Sequence, residues 1–127
     1  MAISGVKGLL VFQAAYGASM DIFALSKGWP REERFSLTDQ IRRSSRSVCK
    51  NMGEAWAKRL YPSHFVSKLS DAHSEVEETL IWLDFARDGG YLEAKASERL
   101  QEAYAPVVGG LIKMMRNPSP WCGPAKR

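Results

Sequence analysis

The sequence predicts an all-α protein, an up-and-down four-helix bundle built as one domain. Its 127 residues suffice for a single domain of ordinary size. Gly and Pro interrupt the chain mainly at Gly28-Trp29-Pro30, Tyr61-Pro62-Ser63 and Gly89-Gly90, which leaves four long segments. Apolar residues recur in each segment at steps of three and four, and no segment alternates as a strand would. Four helices with short connections therefore form the expected bundle.

The first two helices are expected before Tyr61. The first covers about 6–27, and its large apolar residues are expected to face the core: Val6, Leu9, Leu10, Phe12, Tyr16, Met20 and Phe23. Ser36 is the expected N-cap of the second helix, with Asp39 three residues later, and the helix should end near Leu60. One narrow face of it predicts a buried seam: Leu37, Ile41, Ser44, Val48, Met52 and Ala55.

The last two helices follow the same pattern. Ser63 is the expected N-cap of the third, whose predicted seam is Phe65, Leu69, Ala72, Val76, Leu80 and Leu83. The fourth is expected over about 93–116, with the seam Ala96, Leu100, Tyr104, Val107, Leu111 and Met114. Pro106 removes a backbone hydrogen bond and predicts a kink or a loosened second half of the helix. The domain is expected to span 1–117, and the Pro-rich residues 118–127 are expected to form a flexible tail.

The third helix carries apolar residues on its outer side as well. Ile81, Trp82 and Phe85 lie about 160° to 260° from the seam, counted at 100° per residue. A short chain has little left to cover such a face, so these three residues are the predicted interface of a homo-oligomer.

Charge is unevenly distributed along the chain. The net charge of +4 divides into +6 for residues 1–70, −6 for 71–102 and +4 for 103–127. This division favours a polyanion on one surface and a basic partner or a second subunit on another. Ordinary solvated helix faces remain the alternative.

The second helix holds the clearest functional signal. Between 42 and 59 the chain has one acid, Glu54, and six basic residues: Arg42, Arg43, Arg46, Lys50, Lys58 and Arg59. Such a row can contact phosphates of RNA or DNA while Trp56 or Tyr61 stacks on a base. The alternative is a row that only keeps the protein soluble.

Catalytic and metal-binding patterns are missing from the sequence. A di-iron bundle needs Glu-x-x-His, but Tyr61 and Ser70 stand three residues before His64 and His73. The carboxylate pair Glu75 and Glu78 is interpreted as a solvated or inter-subunit face. No phosphate loop or dinucleotide motif occurs, and neither Ser47 nor Cys49 has a recognisable nucleophile context. We therefore predict no enzyme, no catalytic residue, no metal and no cofactor.

The sequence also bears on where in the cell the protein is expected. No apolar run reaches the ~18 residues of a membrane span, and the first residues lack the pattern of a secretory signal. Cys49 and Cys122 are expected to be reduced thiols. A cytoplasmic protein without a membrane partner is predicted.

Two blocks of residues carry a family resemblance. The first is Pro30-x-x-Glu33-x-Phe35-x-Leu37-x-x-Gln40-Ile41-Arg42-Arg43, continuing through Ser47-Val48 and Asn51-x-x-Glu54 to Arg59. The second is Phe65, Leu69, Ala72-x-Ser74, Glu75-x-Glu77-Glu78-Thr79-Leu80 and Gly89-Gly90-Tyr91-Leu92. In these blocks, over about 9–92, the chain resembles the four-helix bundle proteins encoded within intervening sequences of bacterial 23S ribosomal RNA genes. That family includes the accessory variability determinant of diversity-generating retroelements.

The resemblance has departures and implications. The chain has Asn51-Met52-Gly53-Glu54-Ala55 where the family usually has Asn-Ile-Ala-Glu-Gly, and His73 where it usually has Gly. The resemblance implies a homopentameric, barrel-like ring. In the retroelement branch it also implies a basic surface that binds nucleic acid and a reverse transcriptase. The expected function is thus a non-enzymatic accessory protein that binds nucleic acid, and the alternative is an oligomeric protein-interaction scaffold that does not.

Overall fold

Four long helices form the bundle that the sequence predicts. The computed structural model describes residues 5–123. Its long helices are α1 (Leu10–Ser26), α2 (Asp39–Ala57), α3 (Pro62–Asp88) and α4 (Ala94–Arg116), followed by a single turn, α5 (Ser119–Cys122). Each long helix packs against the next along the chain, and α4 also packs against α1. The all-α, four-helix prediction is confirmed.

Polar contacts between helices show that neighbours run in opposite directions. The Oγ atoms of Ser19 and Ser45 lie 3.0 Å apart, and Arg42 Nε donates to Ser26 Oγ at 2.8 Å. Moving forward along α1 thus corresponds to moving backward along α2, so the two helices are antiparallel. This arrangement sets the basic start of α2 beside the end of α1.

The seams of α2 and α4 are confirmed in full, because every residue expected in them is buried. The seam of α3 is confirmed except at Leu80, which is half-buried. Thr79 takes the buried place instead; its hydroxyl donates to the Glu75 carbonyl oxygen at 2.8 Å and lies 2.8 Å from Ser44 Oγ. A polar residue occupies the core here because both hydroxyls are hydrogen-bonded.

The face predicted for the first helix is confirmed at Leu9, which is buried, and wrong at three other residues. Leu10, Tyr16 and Met20 are 82%, 55% and 49% exposed. The buried residues of α1 are mostly small: Ala15, Ala18, Ser19, Ile22 and Ser26. Small side chains let α1 approach α2 closely enough for the contact between Ser19 and Ser45, and the larger apolar residues are left at the rim or outside.

Two predicted N-caps are also wrong. A π-helical turn, Arg34–Thr38, precedes α2, and Ser36 Oγ donates to Glu33 Oε1 at 2.7 Å instead of capping the helix. Helix α3 begins at Pro62, one residue before Ser63, and follows the extended Tyr61. Proline suits the first turn of a helix, because the N–H that it lacks would have no partner there.

Two further predictions concern the C-terminal part of the chain, namely Pro106 in α4 and the tail. Helix α4 continues through Pro106, which is exposed. The turn Ser119–Cys122 lies within the predicted tail, and Trp121 and Cys122 pack against the edge of the core. Residues 124–127 lie outside the described residues, so flexibility of the tail stays a prediction. No helix within residues 5–123 has the length and apolar character needed to cross a membrane.

Candidate nucleic-acid interface

Four of the six predicted basic residues surround one open depression between α2 and α3, with a volume of about 640 Å³. We call it the basic depression and define it by its lining residues: Asp39, Arg42, Arg43, Arg46, Ser47, Lys50, Glu75 and Glu78. Residues 42, 46 and 50 share one side of α2 because they are one turn apart. The helix period therefore brings these cations together, as the sequence predicts.

Arg42 is held against α1. Its Nε donates to Ser26 Oγ at 2.8 Å, and its guanidinium carbon lies 4.8 Å from the centre of the Phe23 ring. Arg46 and Lys27 also approach that ring, at 5.6 Å and 4.9 Å. Three cations therefore lie near the Phe23 ring, two from α2 and one, Lys27, directly after α1. The negative face of an aromatic ring favours this arrangement. Arg42 serves partly as a link between α1 and α2.

The remaining cations of the depression are exposed. Within residues 5–123, Arg43, Arg46 and Lys50 form no salt bridge. All three are exposed, so their charges can meet a partner without first breaking an ion pair inside the subunit.

Carboxylates from α3 share the depression. Ser47 Oγ donates to Glu75 Oε2 at 2.9 Å. Burial, followed by the hydrogen bond and charge of Glu75, raises the pKa of Glu78, and the charge of Arg43 opposes this shift. Glu75 and Glu78 are half-buried. The surface is therefore mixed in charge, because carboxylates lie beside the four basic residues.

Lys58 and Arg59 lie apart from the basic depression. Helix α2 ends at Ala57, so neither residue continues its row. The Arg59 guanidinium carbon lies 4.4 Å from the Trp56 ring centre, and its Nη1 donates to the Trp56 carbonyl oxygen at 3.0 Å. Arg59 thus covers part of Trp56, one of the two residues expected to stack on a base. The other, Tyr61, is 60% exposed, and its ring centre lies 5.8 Å from that of His64.

Helix α1 contributes residues to this surface that the sequence argument placed in the core. Phe23 lies beside Arg42 and Arg46 of α2, and Tyr16 and Met20 line a pocket together with Arg46. Ala15, Ala18, Ser19 and Ile22 already show helical spacing in the sequence. That second stripe of small residues was the available signal for the buried face.

The predicted oligomer interface is partly exposed. Ile81 and Phe85 are 54% and 61% exposed, whereas Trp82 is half-buried and packs against the core. The ring centres of Trp82 and Phe85 lie 5.9 Å apart. Both line a depression of about 480 Å³ with Leu37, Glu33 and Asp88 among its other walls. Trp82 therefore also contributes to the packing of its own subunit, so a substitution at Trp82 would affect the fold as well as a contact between subunits.

The residues weighed for catalysis are placed as follows. Cys49 is half-buried, and burial raises the pKa of its thiol to about 11, so it is neutral at pH 7. Cys122 is likewise a free thiol, and burial raises its pKa. Among residues 5–123, no three His, Cys, Asp or Glu side chains are grouped so that they could hold a metal ion.

The comparisons with known proteins decide the family. Residues 7–113 match the family described as 23S rRNA-intervening sequence protein. The chain belongs to this family. Its membership confirms the resemblance drawn from the two sequence blocks.

A solved relative of the family supports the fold. The crystal structure of a protein with unknown function from the S23 ribosomal protein family, from Bacteroides thetaiotaomicron VPI-5482, is similar with a TM-score of 0.76. The two chains are 25% identical, and the match covers 85% of this chain and 96% of that one. No curated protein matches the sequence.

Proposed function

We propose that this member of the family is a non-enzymatic accessory protein that assembles as a homo-oligomer and binds RNA or DNA through the basic depression. The observation that carries the proposal is the row of exposed cations Arg43, Arg46 and Lys50, which have no salt bridge within the described residues. Phosphate oxygens are the natural partners of such a row, because binding releases the counterions of the nucleic acid.

A single subunit offers only a short row. Residues 42 and 50 are separated by eight residues, or ~12 Å of helix, enough for two or three phosphates. Repetition of the row in a ring would compensate, since a strand that touches several copies gains by multivalency. The five-fold ring implied by the family resemblance would place five such rows on one particle. Exposed Ile81 and Phe85 supply apolar surface for the contact between subunits.

The carboxylates of the depression favour a second candidate. Asp39, Glu75 and Glu78 offset much of the basic charge there. In this alternative the protein is an oligomeric protein-interaction scaffold, and the cations only keep its surface soluble.

A salt series separates the two candidates. Fluorescence anisotropy with labelled RNA and DNA should show log K falling with log salt by ~0.7 to 0.9 for each phosphate neutralised. The triple variant Arg43→Gln, Arg46→Gln, Lys50→Gln should weaken binding and reduce that slope by about two for each subunit that the strand contacts. Arg42 is left intact because it also joins α1 to α2.

The matched control removes the same charge elsewhere. Lys95, Arg99 and Lys113 are exposed residues of α4, and their replacement by Gln lowers the net charge equally. This control should keep the wild-type slope, because contacts depend on where the charges lie. A wild type that binds neither RNA nor DNA at low salt, or two triple variants with equal slopes, would favour the scaffold.

A further inference from the structure

A small pocket between α1 and α2 adjoins the basic depression. It has a volume of about 260 Å³ and is lined by Tyr16, Ser19, Met20, Arg46 and Cys49. Arg46 also lines the basic depression, so one basic residue borders both sites. A ligand that has an apolar part and a negative charge next to it could therefore contact both at once.

The walls of the pocket are apolar or neutral apart from Arg46. Tyr16 and Met20 are 55% and 49% exposed, which leaves their side chains available from solvent. Cys49 carries no charge at pH 7, since burial raises the pKa of its thiol to about 11. Ser19 Oγ is hydrogen-bonded to Ser45 Oγ. Among the described residues that line the pocket none is a carboxylate, in contrast to the basic depression.

The volume of the pocket limits the size of its occupant. Its volume lies below the ~300 to 1,000 Å³ typical of small-molecule sites. An exposed aromatic ring at the edge of a positively charged groove is the usual platform on which a base of a single strand stacks. The Tyr16 ring packs beside the ring of Phe12, and the two ring centres lie 6.1 Å apart.

We propose that this pocket takes one base of a single-stranded RNA or DNA, stacked on Tyr16, while the adjoining phosphates contact Arg46 and Lys50. The inference rests on the proposed function and deepens it, because it names the class of nucleic acid. Bases of a duplex are stacked on each other and cannot offer their faces, so single strands bind more tightly than duplexes. All four bases have an aromatic face, and the preference is for strandedness rather than sequence.

The test compares two exposed aromatic side chains. Tyr16→Ala should weaken binding of a labelled single-stranded oligonucleotide by about five- to 150-fold, the range found when a stacking aromatic is removed. Tyr16→Phe keeps the ring and should bind like wild type. Phe35→Ala is the control, because Phe35 is 72% exposed but lies in the π-helical turn before α2 and does not line the pocket. The salt slope should stay unchanged in all three variants, since none removes a charge.

Each outcome bears on the inference separately from the proposed function. Loss of single-strand affinity in Tyr16→Ala alone, with duplex affinity unchanged, supports the pocket. Equal wild-type affinity for single strand and duplex, or equal effects of Tyr16→Ala and Phe35→Ala, overturns the pocket but leaves phosphate binding intact. An altered assembly mass of Tyr16→Ala in light scattering would place Tyr16 between subunits and also overturn it. Absence of any binding by wild type overturns both proposals.

Discussion

Replacing Tyr104 by Phe should stabilise the protein. Tyr104 is 0% exposed in the middle of the α4 seam, and none of the described residues forms a hydrogen bond with its hydroxyl. A buried hydroxyl left without a partner costs about 1 to 3 kcal/mol. Phenylalanine removes that cost but also the packing contacts of the oxygen, so the free energy of unfolding should rise by the lower figure, about 1 kcal/mol.

The same residue predicts a change with pH. Burial, with a smaller contribution from Cys49, raises the pKa of Tyr104 above its ordinary 10.0. The folded state therefore keeps the Tyr104 proton at a pH where the unfolded chain has lost it. Stability linked to Tyr104 is complete below pH ~10 and is lost as the pH rises further, by ~1.4 kcal/mol per unit. The advantage of Tyr104→Phe should therefore stay level up to pH ~10 and grow above it.

Urea denaturation followed by circular dichroism measures both effects at one fixed protein concentration. Tyr61→Phe is the control, because its hydroxyl belongs to an exposed side chain and its removal should change stability by less than about 0.5 kcal/mol. Cys49 titrates in every protein compared and cancels in the difference. A Tyr104→Phe variant that is less stable than wild type at pH 7, or an advantage that stays constant into alkaline pH, would refute this account of the core.

The remaining predictions concern the core and the assembly. Leu69→Ala and Leu83→Ala should each lower the free energy of unfolding by about 2 to 5 kcal/mol in urea denaturation, because both side chains are fully buried. Leu10→Ala, at 82% exposure, should change it by less than about 0.5 kcal/mol, and similar losses at all three residues would contradict the assigned faces. Phe85→Glu should reduce the assembly to monomers in light scattering while helical circular dichroism is kept. A wild type that is itself a 14.2 kDa monomer would refute the interface.

Residue patterns alone were enough to predict the helical class and the seams of α2 and α4. In both helices the apolar residues form one stripe, so the 3.6-residue period allows a single buried face. The helix period also brought Arg42, Arg46 and Lys50 to one side of α2. The two blocks of residues that resemble the family were equally available from sequence, since they depend on the order and type of residues alone.

Tertiary packing determines which face of α1 is buried, and it therefore also determines the pocket beside Arg46. Helix α1 carries two apolar stripes, a large one containing Tyr16 and a small one containing Ala15 and Ala18, and hydrophobicity favours the large one. The small stripe is nevertheless the buried one, because the hydroxyl contact between Ser19 and Ser45 requires a close approach of α1 and α2 that only small side chains allow. Packing at close range turned Tyr16 outward, where hydrophobicity alone would have buried it.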